Sequence, residues 1–85
     1  MTATRIDKWL FRARFYRTRS AAQAATASGK VRLNGVRIEK PGHAVKCGDV
    51  LTLRAGPAVV AVRVAAVGER RGPAGEARGL YELAE

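Results

Sequence analysis

Ser28-Gly29-Lys30-Val31-Arg32-Leu33-Asn34-Gly35-Val36-Arg37-Ile38 is the stretch from which the fold can be read. Val31 and Leu33 alternate with Lys30 and Arg32, and Val36 and Ile38 flank Arg37. Apolar and charged side chains therefore leave the chain at a period of two, as in a half-buried strand. Asn34-Gly35 separates the two runs. Both residues accept positive φ, which a two-residue type I′ turn needs at both central positions, so the stretch predicts a β-hairpin. Its apolar side chains should face the helices, with Lys30, Arg32 and Arg37 outward or along the edge. Gly29 stands just upstream, where a left-handed helix cap belongs.

The residues before Gly29 supply that helix. Thr18 is a good N-cap with Ser20 in the first turn, and Ala21, Ala22, Gln23, Ala24, Ala25 and Ala27 carry high helix propensity through to Ser28. An earlier helix is predicted from Arg5 to Tyr16. Ile6, Leu10 and Ala13 share one face of it, and Arg5, Lys8 and Arg12 share another. Trp9 and Tyr16 lie beside the basic stripe, with Trp9 read as packing. Phe11 and Phe15 form an i, i+4 pair read as core.

Downstream, Pro41-Gly42 and Gly48-Asp49 are turn dipeptides. Val50-Leu51-Thr52-Leu53-Arg54 reads as a third strand and residues 59–67 as a fourth. Residues 68–79 read as an exposed loop with a short helix after Pro73. Leu80, Tyr81 or Leu83 then return to the sheet. The expected fold is α+β: two N-terminal helices packed on a small, mostly antiparallel sheet. Residues 1–67 form the domain, and residues 68–85 an extension that packs on the sheet or stays partly flexible.

Eighty-five residues make one domain with a small core and modest stability. The single cysteine, Cys47, cannot form an internal disulfide, which points to a reducing, cytoplasmic compartment. Cys47 and the lone His43, a surface loop residue in this reading, are too few to hold a metal. The longest apolar run, residues 58–62, ends at Arg63 and falls far short of the roughly 18 residues of a membrane span. Charges at Arg12, Arg14 and Arg17 also interrupt any continuous membrane-binding face. Residues 1–28 share the Arg-rich composition of a transit peptide but run straight into a turn and strand.

The charge is segregated. Residues 1–46 hold eleven Lys/Arg against two acids, Asp7 and Glu39, whereas residues 47–85 hold five Arg against five acids. A basic half joined to a neutral half implies a surface shaped for a polyanion. Arg5, Lys8 and Arg12 repel one another at a cost of a few tenths of a kcal/mol per pair, which bound phosphates would offset. Arg14, Arg17 and Arg19 carry the charge into the turn between helices. The start of the second helix adds amides and the Thr18 and Ser20 hydroxyls. Arginine outnumbers lysine twelve to four, and its planar fork bridges phosphates and stacks on bases. A rigid, Arg-rich helix pair fits structured RNA, read by shape and backbone, better than a single strand stacked on rings. No catalytic set is legible. Asp7 is expected to pair with Arg19 or another Arg, Ser20 has no His partner, and Cys47 has no base. The reading is of a non-enzymatic binder without cofactor or metal.

Four blocks now stand together: Arg5-Ile6-Asp7-Lys8-Trp9-Leu10, Thr18-Arg19-Ser20-Ala21-Ala22, Ser28 to Gly35, and Gly48-Asp49-Val50-Leu51. In this order and spacing they resemble the S-four RNA-binding domain, named after a small-subunit ribosomal protein. The resemblance implies the alpha-L-like fold of that family. It also implies an RNA face of Arg5, Lys8, Arg12, Arg14, Arg17, Thr18, Arg19, Ser20, Gln23, Lys30, Arg32 and Asn34, to which Arg37 is added. The tail Gly68 to Pro73, with Glu76 and Leu80-Tyr81-Glu82, is similar to the stand-alone, ribosome-associated heat-shock branch of the superfamily. That likeness implies binding to ribosomal RNA and tRNA on large subunits still carrying peptidyl-tRNA, in rescue or quality control. Nothing in the sequence suggests an obligate dimer, and a monomer is expected. The branch often continues into a Lys-rich tail, whereas this sequence stops at Glu85, and often has proline at the place of Cys47. The alternative is an RNA-targeting module of a pseudouridine synthase or RNA methyltransferase. The start at Met1 and the tail weigh against it.

Overall fold

A computed structural model describes residues 3–55, 57–68 and 71–84. The elements run β1 (Ala3–Arg5), α1 (Ile6–Arg12), α2 (Arg19–Ala27), β2 (Val31–Leu33), β3 (Val36–Ile38), β4 (Ala44–Lys46), β5 (Val50–Ala55), β6 (Ala58–Val64), α3 (Ala74–Ala77), a 3-10 turn (Arg78–Leu80) and β7 (Tyr81–Leu83).

The first two helices end in the same way. In α2, Gly29 takes φ +77°. Its N–H donates to the Thr26 carbonyl at 3.0 Å, and Lys30 N–H donates to the Ala25 carbonyl at 3.1 Å. This pair of bonds is the Schellman cap that terminal carbonyls favour. In α1 the same pair runs from Arg14 N–H to Phe11 and from Phe15 N–H to Leu10, both at 3.1 Å. Arg14 holds the left-handed position with φ +65°. The first helix therefore stops at Arg12 rather than reaching Tyr16. Arg5, expected inside it, is the extended N-cap residue and the end of β1. An L-residue in this conformation costs about 1 kcal/mol. Part of that cost is offset by a bond from Arg14 Nε to the Gly72 carbonyl at 2.8 Å. The reversal brings Phe15 back against Trp9 and Tyr81, with ring centroids 6.0 and 4.8 Å away.

Five strands form one antiparallel sheet in the order β3-β2-β5-β6-β7. Leu33 and Val36 face each other across Asn34 and Gly35, whose φ angles are +51° and +83°. The fourth strand ends at Val64, short of the expected Val67. There Ala65 and Ala66 N–H turn instead to the Leu80 carbonyl at 2.8 and 3.1 Å. A second, two-stranded sheet pairs β1 with β4 and was not expected from the sequence.

Between sheet and helices lies the core of Ile6, Trp9, Leu10, Ala22, Val31, Val45, Leu51, Leu53, Val62 and Val64. Burying each large apolar side chain contributes about 1.5–3 kcal/mol. Trp9 is fully enclosed because its indole Nε1–H donates to the Ala66 carbonyl at 2.9 Å, leaving no orphaned donor. Two apolar expectations need correction. Val36 is 65% exposed, at the turn end of the edge strand β3. Phe11 is only half-buried, and the Arg71 guanidinium lies 4.8 Å from its ring centroid.

Candidate nucleic-acid interface

Asp7 organises the basic end of the helix pair. It is in the first turn of α1 and fully buried. Arg5 forks onto it, Nε to Oδ1 and Nη2 to Oδ2, both at 3.1 Å. From α2, Gln23 Nε2 donates to Oδ2 at 3.0 Å, and Arg19 Nη2 stands 3.6 Å from the same oxygen. The Lys8 backbone N–H donates to Oδ1 at 2.8 Å. Burial pushes the Asp7 pKa up, but the hydrogen bonds from Arg5, Gln23 and Lys8 N–H and the Arg5 charge outweigh it. The carboxyl is held below its ordinary value and stays ionised at neutral pH. The expected pairing with Arg19 or another Arg is present, with both Arg19 and Arg5; the Gln23 bond and the full burial have no signal in the sequence.

Other cations of the expected face also have internal partners. Arg12 Nη1 donates to the Gly68 carbonyl at 3.0 Å and to Thr4 Oγ1 at 3.3 Å. Arg14 is bound to Gly72 as described. Arg37 lies 3.9 Å from Glu39 and leans over Gly29, where a Cβ would collide with its guanidinium. Asn34 donates Nδ2–H to Asp49 Oδ1 at 3.3 Å and accepts from Val50 N–H at 2.9 Å, which ties the β2–β3 turn to β5. Asp49 is buried, and that burial raises its pKa. Bonds from Lys46 N–H and Asn34 and the Lys46 charge more than reverse the shift, so it too lies below the ordinary value.

Lys8, Arg17, Lys30 and Arg32 form no ion pair or side-chain hydrogen bond with any described residue. Arg17, Thr18 and Ser20 are exposed where α1 turns into α2, and Thr18 Oγ1 accepts from Ala21 N–H at 3.0 Å as the N-cap. Arg5, Lys8, Arg19 and Gln23 gather around or beside Asp7 at this end. Lys30 and Arg32 lie elsewhere, on the rim of an open depression at the sheet that Arg54 also borders. The thirteen residues thus fall into a helix-turn group and a sheet group. Arg54 borders the same depression but lies outside the expected face; period-two alternation from Val50 puts it on the same face as Thr52.

The S4 domain family pattern matches residues 4–51. The chain belongs to the S4 domain family. This S4 domain is 49% identical over 78 residues to Heat shock protein 15 of Escherichia coli K12, covering 92% of this chain and 58% of that protein. It is 38% identical over 63 residues to the RQC P-site tRNA stabilizing factor of Listeria innocua, covering 74% of this chain and 67% of that one. The chain spans about three fifths of the length of the heat-shock relatives, 58% and 61% in two cases. Among solved structures, Vibrio cholerae Heat Shock Protein 15, described as trimeric, superimposes with a TM-score of 0.92 at 40% identity. That match covers 98% of this chain and 83% of the other. The α+β architecture and the placement of the helix pair on an antiparallel sheet are therefore those of the S4 family.

Proposed function

We propose that this S4 domain is an RNA-binding protein of the ribosome. In this reading it grips ribosomal RNA and tRNA on large subunits that still carry peptidyl-tRNA, and it serves in rescue or quality control of stalled translation. The observation that carries the reading is the helix-turn group. Lys8 and Arg17 have no ion pair among the described residues, and in the same group Arg5 and Arg19 are held by a buried carboxylate. A preset array of this kind loses little side-chain entropy when phosphates arrive. Similarity to a heat-shock protein and to a factor named for stabilising P-site tRNA supports the ribosomal assignment. The mechanism is differential binding: the domain favours the RNA arrangement that meets its cations, and no bond is made or broken. Among the described residues no helix is long and apolar enough to cross a membrane. We place the protein in the cytoplasm with its RNA.

The working unit in this reading is a single chain, although the Vibrio cholerae relative is described as trimeric. Light scattering at micromolar concentration returns about one chain mass if this is correct.

Anisotropy of labelled, deproteinised large-subunit ribosomal RNA across a salt series tests RNA binding itself. Four to six phosphate contacts give a log K against log salt slope of roughly −3 to −5. A Lys8→Ala, Arg17→Ala double variant should flatten the slope by about 1.5. Arg12 and Arg19 are poorer choices, because both have internal partners. A wild-type slope near zero would remove the electrostatic basis of the proposal.

A further inference from the structure

The outer face of the five-stranded sheet has a charge pattern of its own. Val31, Leu51 and Leu53 enter the core. Their strand neighbours Arg32, Thr52 and Arg54 consequently leave on the opposite face. The register sets Arg32 directly opposite Arg37 on one side and opposite Thr52 on the other. Two guanidiniums facing each other across a ladder are destabilising. Arg37 has Glu39 nearby, but Arg32 has no acidic partner among the described residues. The depression of about 700 Å³ at this face is bordered by Lys30, Arg32, Thr52, Arg54 and Val59, and no acid lines it. A second hollow shares Lys30 and Arg54 and continues past Ala24 and Ser28 to Tyr16. Lys30 and Arg54 therefore stand on a ridge common to both hollows, and neither forms an ion pair with a described residue.

We infer that Lys30, Arg32 and Arg54 form a second RNA-backbone site, which seats a sugar–phosphate strand in the depression on the sheet. It rests on the reading of the chain as an RNA binder and adds to it both a residue, Arg54, and a second RNA segment. These three cations border one concave surface, and no acid among the described residues lines it. Phosphates neutralise their charge and accept the planar fork of each guanidinium. The Thr52 hydroxyl on the same face offers a bond to a phosphate or a 2′-hydroxyl, the group that marks RNA. The helix-turn group around Asp7 draws on other cations, Arg5, Lys8, Arg17 and Arg19. One domain then holds two RNA segments in fixed relation, as a wedge or brace between them.

The test uses the anisotropy salt series described above with Arg54→Gln, Arg32→Gln with Arg54→Gln, and the Lys8→Ala, Arg17→Ala variant. Arg54 is exposed, so its change should leave the melting temperature intact. The single variant is expected to bind roughly three- to tenfold more weakly at low salt, with a slope flatter by about 0.7–0.9. The double variant should lose about twice that slope, and combination with the helix-turn changes should multiply the losses. Wild-type affinity and slope for Arg54→Gln, beside weakened binding by the helix-turn variant, would overturn the second site and leave RNA binding standing. Failure of the wild-type chain to bind RNA would overturn both. Displacement of the RNA by poly-glutamate as effectively as by poly-uridylate at equal charge would make the depression a general anion patch and also defeat the inference.

Discussion

Replacing Asp7 by Asn keeps the shape of a fully buried side chain and removes its charge. The amide still accepts through one oxygen, but it cannot accept the fork from Arg5 and the bond from Gln23 together. It also presents an N–H₂ where the carboxylate meets a donor. A hydrogen bond to a charged group contributes about 1.5–3 kcal/mol and a neutral one about 1. Arg5 and Arg19 are 48% and 44% exposed, so water screens and partly replaces their share. The two guanidiniums together then account for about 1 kcal/mol, and the Lys8 N–H and Gln23 bonds for about 1 more. A loss of about 2 kcal/mol is large against the roughly 4–13 kcal/mol of a domain this size. It corresponds to a melting temperature lower by about 8–16 °C at pH 7.

The pH dependence provides a second readout. The folded pKa of Asp7 lies below the ordinary value of 3.8, so around and above that pH the unfolded chain holds more protons on this group. Its stabilisation is complete above the unfolded value and disappears as the pH falls through the folded one. The gap between wild type and Asp7→Asn, followed by far-UV circular dichroism melts, should therefore be widest near pH 7 and narrow progressively as the pH falls below the ordinary carboxyl value of 3.8. A gap under 2 °C at pH 7, or one that does not narrow in acid, would refute Asp7 as the buried anchor of the helix pair.

Further substitutions test the backbone and the core. Gly29→Ala and Gly35→Ala each force a side chain into positive φ, +77° and +83°; the space at Gly35 is open, and at Gly29 the new Cβ meets only the exposed, flexible end of Arg37, which can swing away. We expect about 1 kcal/mol at each position, set by the backbone conformation, measured by urea unfolding. Trp9→Phe removes the indole donor, leaves the Ala66 carbonyl without it and opens a small void. The expected cost is about 2–3 kcal/mol in the same assay, with an unchanged urea m-value.

Much of the fold is written locally. Helix α2 is marked at both ends by residue type, Thr18 as an acceptor for its first turn and Gly29 for a left-handed exit. Alternation over Val31–Leu33 and Val50–Arg54 sorts core from surface by period alone. The end of α1 is not legible, because its left-handed residue is Arg14 and the conformation is held by tertiary partners such as the Gly72 carbonyl. The β1–β4 pair is equally hidden: three residues are too few to show a period, and Arg5 meets Ala44 only once the chain has closed. In the candidate site, cation density is visible from composition. Which cations lack partners among the described residues is not, since Arg12 and Arg14 are tied to Gly68 and Gly72 by contacts more than fifty residues away.

The most direct test of ribosomal RNA recognition is co-sedimentation through sucrose gradients with free small subunits, free large subunits, and large subunits loaded with peptidyl-tRNA. The proposed function predicts enrichment on the loaded large subunit, lost in the Lys8→Ala, Arg17→Ala variant. Equal, weak association with all three particles, unchanged by the variant, would contradict it.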